Sequence, residues 1–143
     1  MESKMDGKLW NIGMKAPNMD SETAFWEKLG GRTRVREVIS LDRPEGKKDF
    51  EYSIMEVCDN RLFMSEETVF EDLVPHTLEP GITHAVFEVR DFEHEFRRLT
   101  AMGAEVLIQP VTVSAGFGSR RLAFFRSPNG LVFEVMQILE NKI

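Results

Sequence analysis

Apolar and polar positions recur along this chain in two similar rounds. Phe92, Phe96, Leu99 and Met102 fall at i, i+4, i+7 and i+10, one face of an amphipathic helix, while Glu93, Arg97 and Arg98 occupy the other. Asp91 is placed to cap its start and Gly103 to close its end. An earlier stretch reads the same way: Met19, Trp26 and Leu29 form the apolar face, Asn18 or Asp20 is the cap, and Gly30-Gly31 is the stop. The two stretches align at one offset of 73 (84 − 11), which pairs Asn11 with His84, Trp26 with Leu99 and Gly30 with Gly103 without a gap. Such self-similarity marks a duplicated supersecondary unit.

A strand precedes each helix, Leu9 to Ala16 and Ile82 to Val89, and three more follow it. In the first round these are Thr33 to Ile39, Phe50 to Val57 and Arg61 to Ser65; in the second, Ala104 to Ile108, Arg120 to Phe125 and Leu131 to Gln137. Turn residues separate them: Asp42 to Gly46, Cys58-Asp59-Asn60, Ser114 to Gly118, and Ser127 to Gly130 with its Asn129-Gly130 hairpin signal. The chain is therefore expected to be α+β, two tandem βαβββ modules over 8–73 and 81–140, joined by a Pro75- and Pro80-bearing linker at 74–80.

Composition narrows the function classes. With 42% apolar and 29% charged residues over 143 positions, the chain can bury a core without staples. A net charge of −6 with scattered Lys and Arg argues against a nucleic-acid partner. Cys58 is the lone cysteine, which excludes an intrachain disulfide and a cysteine zinc cluster; a buried, inert thiol is expected. The polar start of the chain and the absence of any apolar window near the ~18 residues of a membrane span lead to the expectation of a cytoplasmic protein.

Two segments carry a resemblance: Gly81 to Val89 with its following helix, and Arg121 to Glu134, whose Ser-Pro-Asn-Gly turn leads into a strand bearing a carboxylate. Over about Lys8 to Leu139 the chain resembles the vicinal oxygen chelate superfamily, which includes glyoxalase I, methylmalonyl-CoA epimerase, extradiol dioxygenases and the bleomycin- and fosfomycin-resistance proteins. The resemblance implies curved mixed sheets around a concave site with helices outside, and a divalent metal, Zn, Ni, Mn or Fe, held between the modules. It assigns His84 and Glu134 as metal ligands and puts Asn11 in the place of a third. For the fourth place an offset of 70 proposes Met64; Glu66, on the same face of a strand, is the alternative if a small bulge intervenes. Glu134 or Glu66 would then be the proton-moving base of a lyase or isomerase.

Alternation along the last strand puts Phe133 and Val135 toward a helix and Val132, Glu134 and Met136 on the opposite face. Buried there, His84 and Glu134 need a partner, which a metal or a mutual ion pair would supply. Asn11 departs from the pattern, because a neutral amide oxygen binds transition metals weakly. That argues against glyoxalase I itself and against the two-histidine, one-carboxylate triad of the dioxygenases. The expected function is a metal-dependent glyoxalase-like enzyme; the alternative is a metal-free binding protein of the drug-sequestering bleomycin-resistance type.

Lys15 with one of Arg120 and Arg121, here Arg121, is the candidate pair for an anionic substrate group, and Asn11 and Met64 would also face the small-molecule ligand. His94 reads as a surface residue, His76 as a loop residue, and Gly116-Phe117-Gly118 as a mobile rim loop. A homodimer is implied by the resemblance.

Overall fold

The computed structural model describes residues 4–43 and 45–143. Its elements run β1 (Gly7–Lys15), α1 (Met19–Lys28), β2 (Arg32–Arg43), β3 (Gly46–Val57), β4 (Asn60–Ser65), a single 3-10 turn (Glu71–Leu73), β5 (Gly81–Val89), α2 (Phe92–Ala101), β6 (Glu105–Ala115), β7 (Gly118–Arg126) and β8 (Val132–Asn141). The chain is α+β, and each half repeats strand, helix and three strands. Two compact units are present: Asn11–Thr83 forms one, and His84–Lys142 forms the other together with the N-terminal residues through Trp10. The division passes through β1 and β5.

Within the first unit the strand order is β2-β3-β4-β1; within the second it is β5-β8-β7-β6. In both, the first strand runs parallel to the last, as Ile12 pairs with Leu62 and Ala85 with Phe133. The other neighbours are antiparallel. Parallel pairing is possible because the intervening helix carries the chain back across the sheet.

The helix ends follow from capping chemistry. Asn18 Oδ1 accepts from the Ser21 amide at 3.0 Å and Asp91 Oδ1 from the His94 amide at 3.2 Å, so Asn18 and not Asp20 caps α1. At the other ends Gly30 and Gly103 take φ values of +90° and +84°, and the next amide reaches back into the last turn (Gly31 N to Trp26 O, 2.9 Å; Ala104 N to Leu99 O, 3.0 Å). That is the closing motif for which glycine is selected.

Several strands are longer than alternation alone predicts. The β2–β3 ladder continues in register to Arg43 and Gly46; Pro44, part of the turn expected there, lies outside the described residues. Strand β6 passes through Pro110 to Ala115, at the cost of register shifts between Val106 and Ile108 and between Ile108 and Val111. An edge strand tolerates this, because proline's missing donor can face away from the ladder.

Cys58 is a correction. It is exposed, and with Asp59 it forms a two-residue turn between β3 and β4 in which both residues have positive φ, 51° and 63°. A type I′ geometry of this sort suits the twist of a tight hairpin and puts both side chains in solvent. The turn at 116–118 is a second correction. Phe117 is buried under the Arg120 guanidinium, 5.0 Å from its ring centre, and its carbonyl accepts from the Lys142 amide, so the turn is pinned. Among the described residues no helix is long and apolar enough to cross a membrane.

Candidate functional site

The site is built on the second unit's sheet. α2 covers one face: Val89, Phe92, Ala123, Phe125 and Val135 form a buried cluster, with Phe96, Leu99, Val106 and Phe133 packed against it. Side chains alternate along strands, so the even-numbered residues of β5, β7 and β8 occupy the other face. Register fixes their arrangement. Val86 lies beside Glu134 on the parallel pair β5–β8, and Phe124 lies opposite Glu134 on the antiparallel pair β7–β8, as Leu122 does opposite Met136. His84, two residues before Val86, shares this face, and its ring lies 5.5 Å from that of Phe124.

This surface is apolar apart from a few groups. His84, Val86, Leu122, Phe124, Val132 and Met136 are all buried. Glu134 has its surface partly open, yet it is surrounded closely enough by protein that burial pushes its carboxyl up to about 8, against the opposing pull of the Arg120 guanidinium. Burial likewise pushes the His84 imidazole down to about 4. An ion pair would shift the two groups the opposite way, so burial outweighs any attraction between them and favours the uncharged form of each.

Arg120 is the arginine that shares this face. It is buried, donates to the carbonyls of Ser119 and Glu140 and to Asn141 Oδ1, and stacks on Phe117. Arg121, singled out from the sequence, lies on the helix side, where it bonds Glu93 at 3.1 Å and sits over the Phe92 ring. Alternation back from Phe125 and Ala123 puts Arg121 on the helix side and Arg120 on the other, and the register shift at Ser119 lies outside that stretch.

In the first unit the matching positions follow from the same pairing. Gly13 pairs with Phe63 as Val86 pairs with Glu134, and Asn11 precedes Gly13 by two residues as His84 precedes Val86. Phe63 therefore occupies the fourth position, at an offset of 71 (134 − 63) and not 70. Met64 is fully buried on the α1 side: it pairs with Ser53, which pairs with Arg36, whose guanidinium reaches Asp20 of α1 at 2.8 Å. Glu66 lies beyond the end of β4 in an exposed bend, so no bulge brings it onto the face. Lys15 is engaged within its own unit, bonding Glu71 at 2.6 Å and the Leu78 carbonyl at 3.0 Å. His94 and His76 are exposed.

A signal for Phe63 was present in the sequence. Aligning it with Glu134 matches Leu62 to Phe133 and Met64 to Val135, the apolar residues that face the helices. The turn residues give an offset of 70, one residue short of the 71 set by the apolar period.

Whether these residues fit a metal can be judged from the donors. A catalytic zinc takes three protein ligands and an open position. Among the described residues no group of three or more His, Cys, Asp or Glu lies together. The second unit supplies one imidazole and one carboxyl, and the matching places of the first hold a neutral amide and a phenyl ring without a lone pair. The set does not fit a resident Zn, Ni, Mn or Fe ion.

A profile of the Glyoxalase/Bleomycin resistance protein/Dioxygenase superfamily matches residues 11–135. No curated protein sequence matches the chain. Among solved structures, methylmalonyl-CoA epimerase from Mycobacterium tuberculosis is similar at a TM-score of 0.69 and 18% identity, covering 98% of this chain and 94% of its own. Hypothetical protein BH1468 from Bacillus halodurans C-125 is similar at 0.69 and 18%, covering 94% and 96%. A mutant of 4-hydroxymandelate synthase from Streptomyces coelicolor is similar at 0.64 and 17%, over 92% of this chain and 49% of that one. Identities this low speak to the fold alone.

Proposed function

Since the chain belongs to the Glyoxalase/Bleomycin resistance protein/Dioxygenase superfamily, we propose that it is a small-molecule enzyme of the proton-transfer type, with Glu134 as the group that moves the proton. The observation that carries this reading is a carboxyl on a largely apolar strand face that it shares with His84, with its proton affinity raised to about 8 by burial. A base works best when its pKa lies near the operating pH, and burial is how a carboxylate reaches that range.

The substrate class this suits is a carbonyl compound with an acidic hydrogen next to the carbonyl carbon. In its ionised form Glu134 takes that hydrogen as a proton and returns it to the same carbon or a neighbouring one. His84, uncharged above about pH 4, supplies a neutral hydrogen-bonding group on the same face for the oxygen on which negative charge develops. The apolar neighbours Val86, Phe124 and Met136 keep water from levelling the carboxyl's basicity. The epimerase among the structural neighbours supports this class by analogy of fold.

The test is exchange in deuterium oxide. A panel of 2-oxo acids and acyl thioesters is incubated with the protein, and the hydrogen beside the carbonyl is followed by proton NMR. At least one member should exchange, and Glu134→Gln should abolish it. Exchange that survives this substitution, or none across the panel, removes the proposal.

A second reading is a metal-free binding protein, favoured by the apolar composition of the same face. It requires a ligand that stabilises the protein and leaves unchanged, and whose affinity is indifferent to Glu134→Gln.

A further inference from the structure

The first unit's counterpart of the His84 and Glu134 pair is Asn11 and Phe63, and these residues have a chemistry of their own. Asn11 is 7% exposed, and its Nδ2 is buried without a hydrogen-bond partner. An amide nitrogen only donates, so what it lacks is an acceptor. Buried polar groups of folded proteins are nearly always paired, and an orphan calls for an explanation. The surface beside it supplies one. Gly13 separates Asn11 from Phe63 where the second unit has Val86, so this face carries one side chain fewer. Phe63 is partly exposed and stacks on Tyr52, ring centres 5.2 Å apart and planes 11° from parallel. Tyr52 is fully buried and its hydroxyl donates to Glu37, which fixes the ring that supports Phe63. Ile54, paired with Phe63, completes an apolar floor.

We infer that this face is a recognition subsite for a planar, aromatic ligand group bearing an uncharged oxygen acceptor, with Phe63 as the stacking platform and the Asn11 Nδ2 as the donor. Ring stacking on a fixed aromatic pair favours a flat π-system over a saturated ring of equal size. A ligand that brings an acceptor gains the bond this buried donor lacks, and one that offers none leaves the amide unpaired. Anions are not favoured, since Glu37 is on the same face, paired with Tyr52. The inference stands on residues of the first unit alone and does not depend on proton transfer by Glu134.

The experiment measures binding in the Glu134→Gln protein, so that turnover plays no part, by ligand-observed NMR titration of three probes. Acetophenone carries ring and acceptor, ethylbenzene lacks the acceptor, and cyclohexyl methyl ketone lacks the π-system. Acetophenone should bind on the order of tenfold more tightly than ethylbenzene, from the hydrogen bond, and roughly threefold to tenfold more tightly than the saturated ketone, from stacking. Asn11→Leu, which keeps the number and branching of side-chain heavy atoms, should erase the first preference and Phe63→Leu the second. Equal affinity for all three probes, or preferences that survive both substitutions, overturns the inference. The probe series on the otherwise unsubstituted face decides the matter even if a variant fails to fold. If Asn11→Leu proves more stable with acetophenone binding unchanged, the amide is a packing defect only and the inference fails.

Discussion

In the second half of the chain, α2 lays Phe92, Phe96 and Leu99 onto Ala123, Phe125, Phe133 and Val135, and the rings of Phe96, Phe125 and Phe133 follow one another at 5.9 and 5.5 Å. In the first half, α1 buries Met19 fully and leaves Phe25 and Leu29 more than half exposed. Thr23 on that helix, with Thr33 and Ser53 on the strand face toward it, has a buried hydroxyl without a partner. The same topology thus holds a dense aromatic core once and a sparse, partly polar one once. Chemistry divides along the same line: the second half carries the two groups whose proton affinity is shifted chiefly by burial, the first an amide and a phenyl ring at the matching positions. The titratable pair stands on the better-packed scaffold, which holds its side chains in place.

The sharpest way to break this division is at Glu134. Glu134→Gln keeps shape and removes the ionisable group, and should lower kcat/KM for any substrate found by the exchange assay by roughly 100-fold to 10,000-fold. In the unsubstituted protein kcat/KM should climb with pH and level off above about 8, as the carboxyl ionises. A flat profile between pH 6 and 9 would show that the carboxyl does not limit the reaction.

The scaffolds come next. Phe125→Ala opens a cavity among residues that are themselves closely packed and should cost about 3–5 kcal/mol in urea unfolding. Phe25→Ala on α1 removes a ring that is 54% exposed and should change stability by less than about 0.5 kcal/mol. Similar costs at the two sites would mean that α1 is packed as well as α2.

How far the sequence discloses this depends on which signal each feature follows. The repeat, the caps at Asn18 and Asp91 and the closing glycines are local devices, legible because capping and left-handed geometry select few residue types. His84 and Glu134 are legible on one face because the period of two is strict in unbulged strands. Register is not local. Phe63 in place of Met64 turns on a one-residue slip, which exchanges the two faces of a strand, and Glu66 lies past the strand's end; Arg120 in place of Arg121 follows instead from alternation along β7. Exposure of Cys58 follows from a two-residue turn whose left-handed residues are neither Asn nor Gly, the usual markers of that turn.

Proton linkage offers an intermediate effect confined to the second half. Glu134 holds its proton to about pH 8 folded and to about 4.5 unfolded, so across that window the unfolded chain alone gains by ionising and stability falls as pH rises. His84 acts in the opposite sense. Its folded value of about 4 lies below 6.5, so its contribution is present above 6.5 and is lost as pH falls toward 4. From pH 6.5 to 8 only Glu134 acts, and urea unfolding should register a loss of up to about 2 kcal/mol, at about 1.4 kcal/mol per pH unit. Glu134→Gln should flatten that segment and uncover a rise in stability with pH between about 4.5 and 6.5, where the two contributions otherwise cancel. An unchanged slope would show that the carboxyl is ionised and solvated in the folded protein.

The smallest effect tests the first half's polar core directly. Ser53 is fully buried, its Oγ has no partner, and it faces α1 through its pairing with Met64 and Arg36. A hydroxyl in that state pays its desolvation without a compensating bond, so deleting it removes a penalty and leaves only a small void. Ser53→Ala should therefore stabilise the protein by about 1 kcal/mol, a rise in Tm of roughly 3 °C for a domain of this size. The reciprocal change, Ala123→Ser in the second half's cluster, introduces the same group where none is accommodated and should destabilise by about 1–3 kcal/mol. Calorimetry on the pair gives opposite signs if the two cores differ as described. If both substitutions destabilise, the Ser53 hydroxyl has a partner in solution, an ordered water being the simplest, and the contrast between the halves shrinks to their aromatic content.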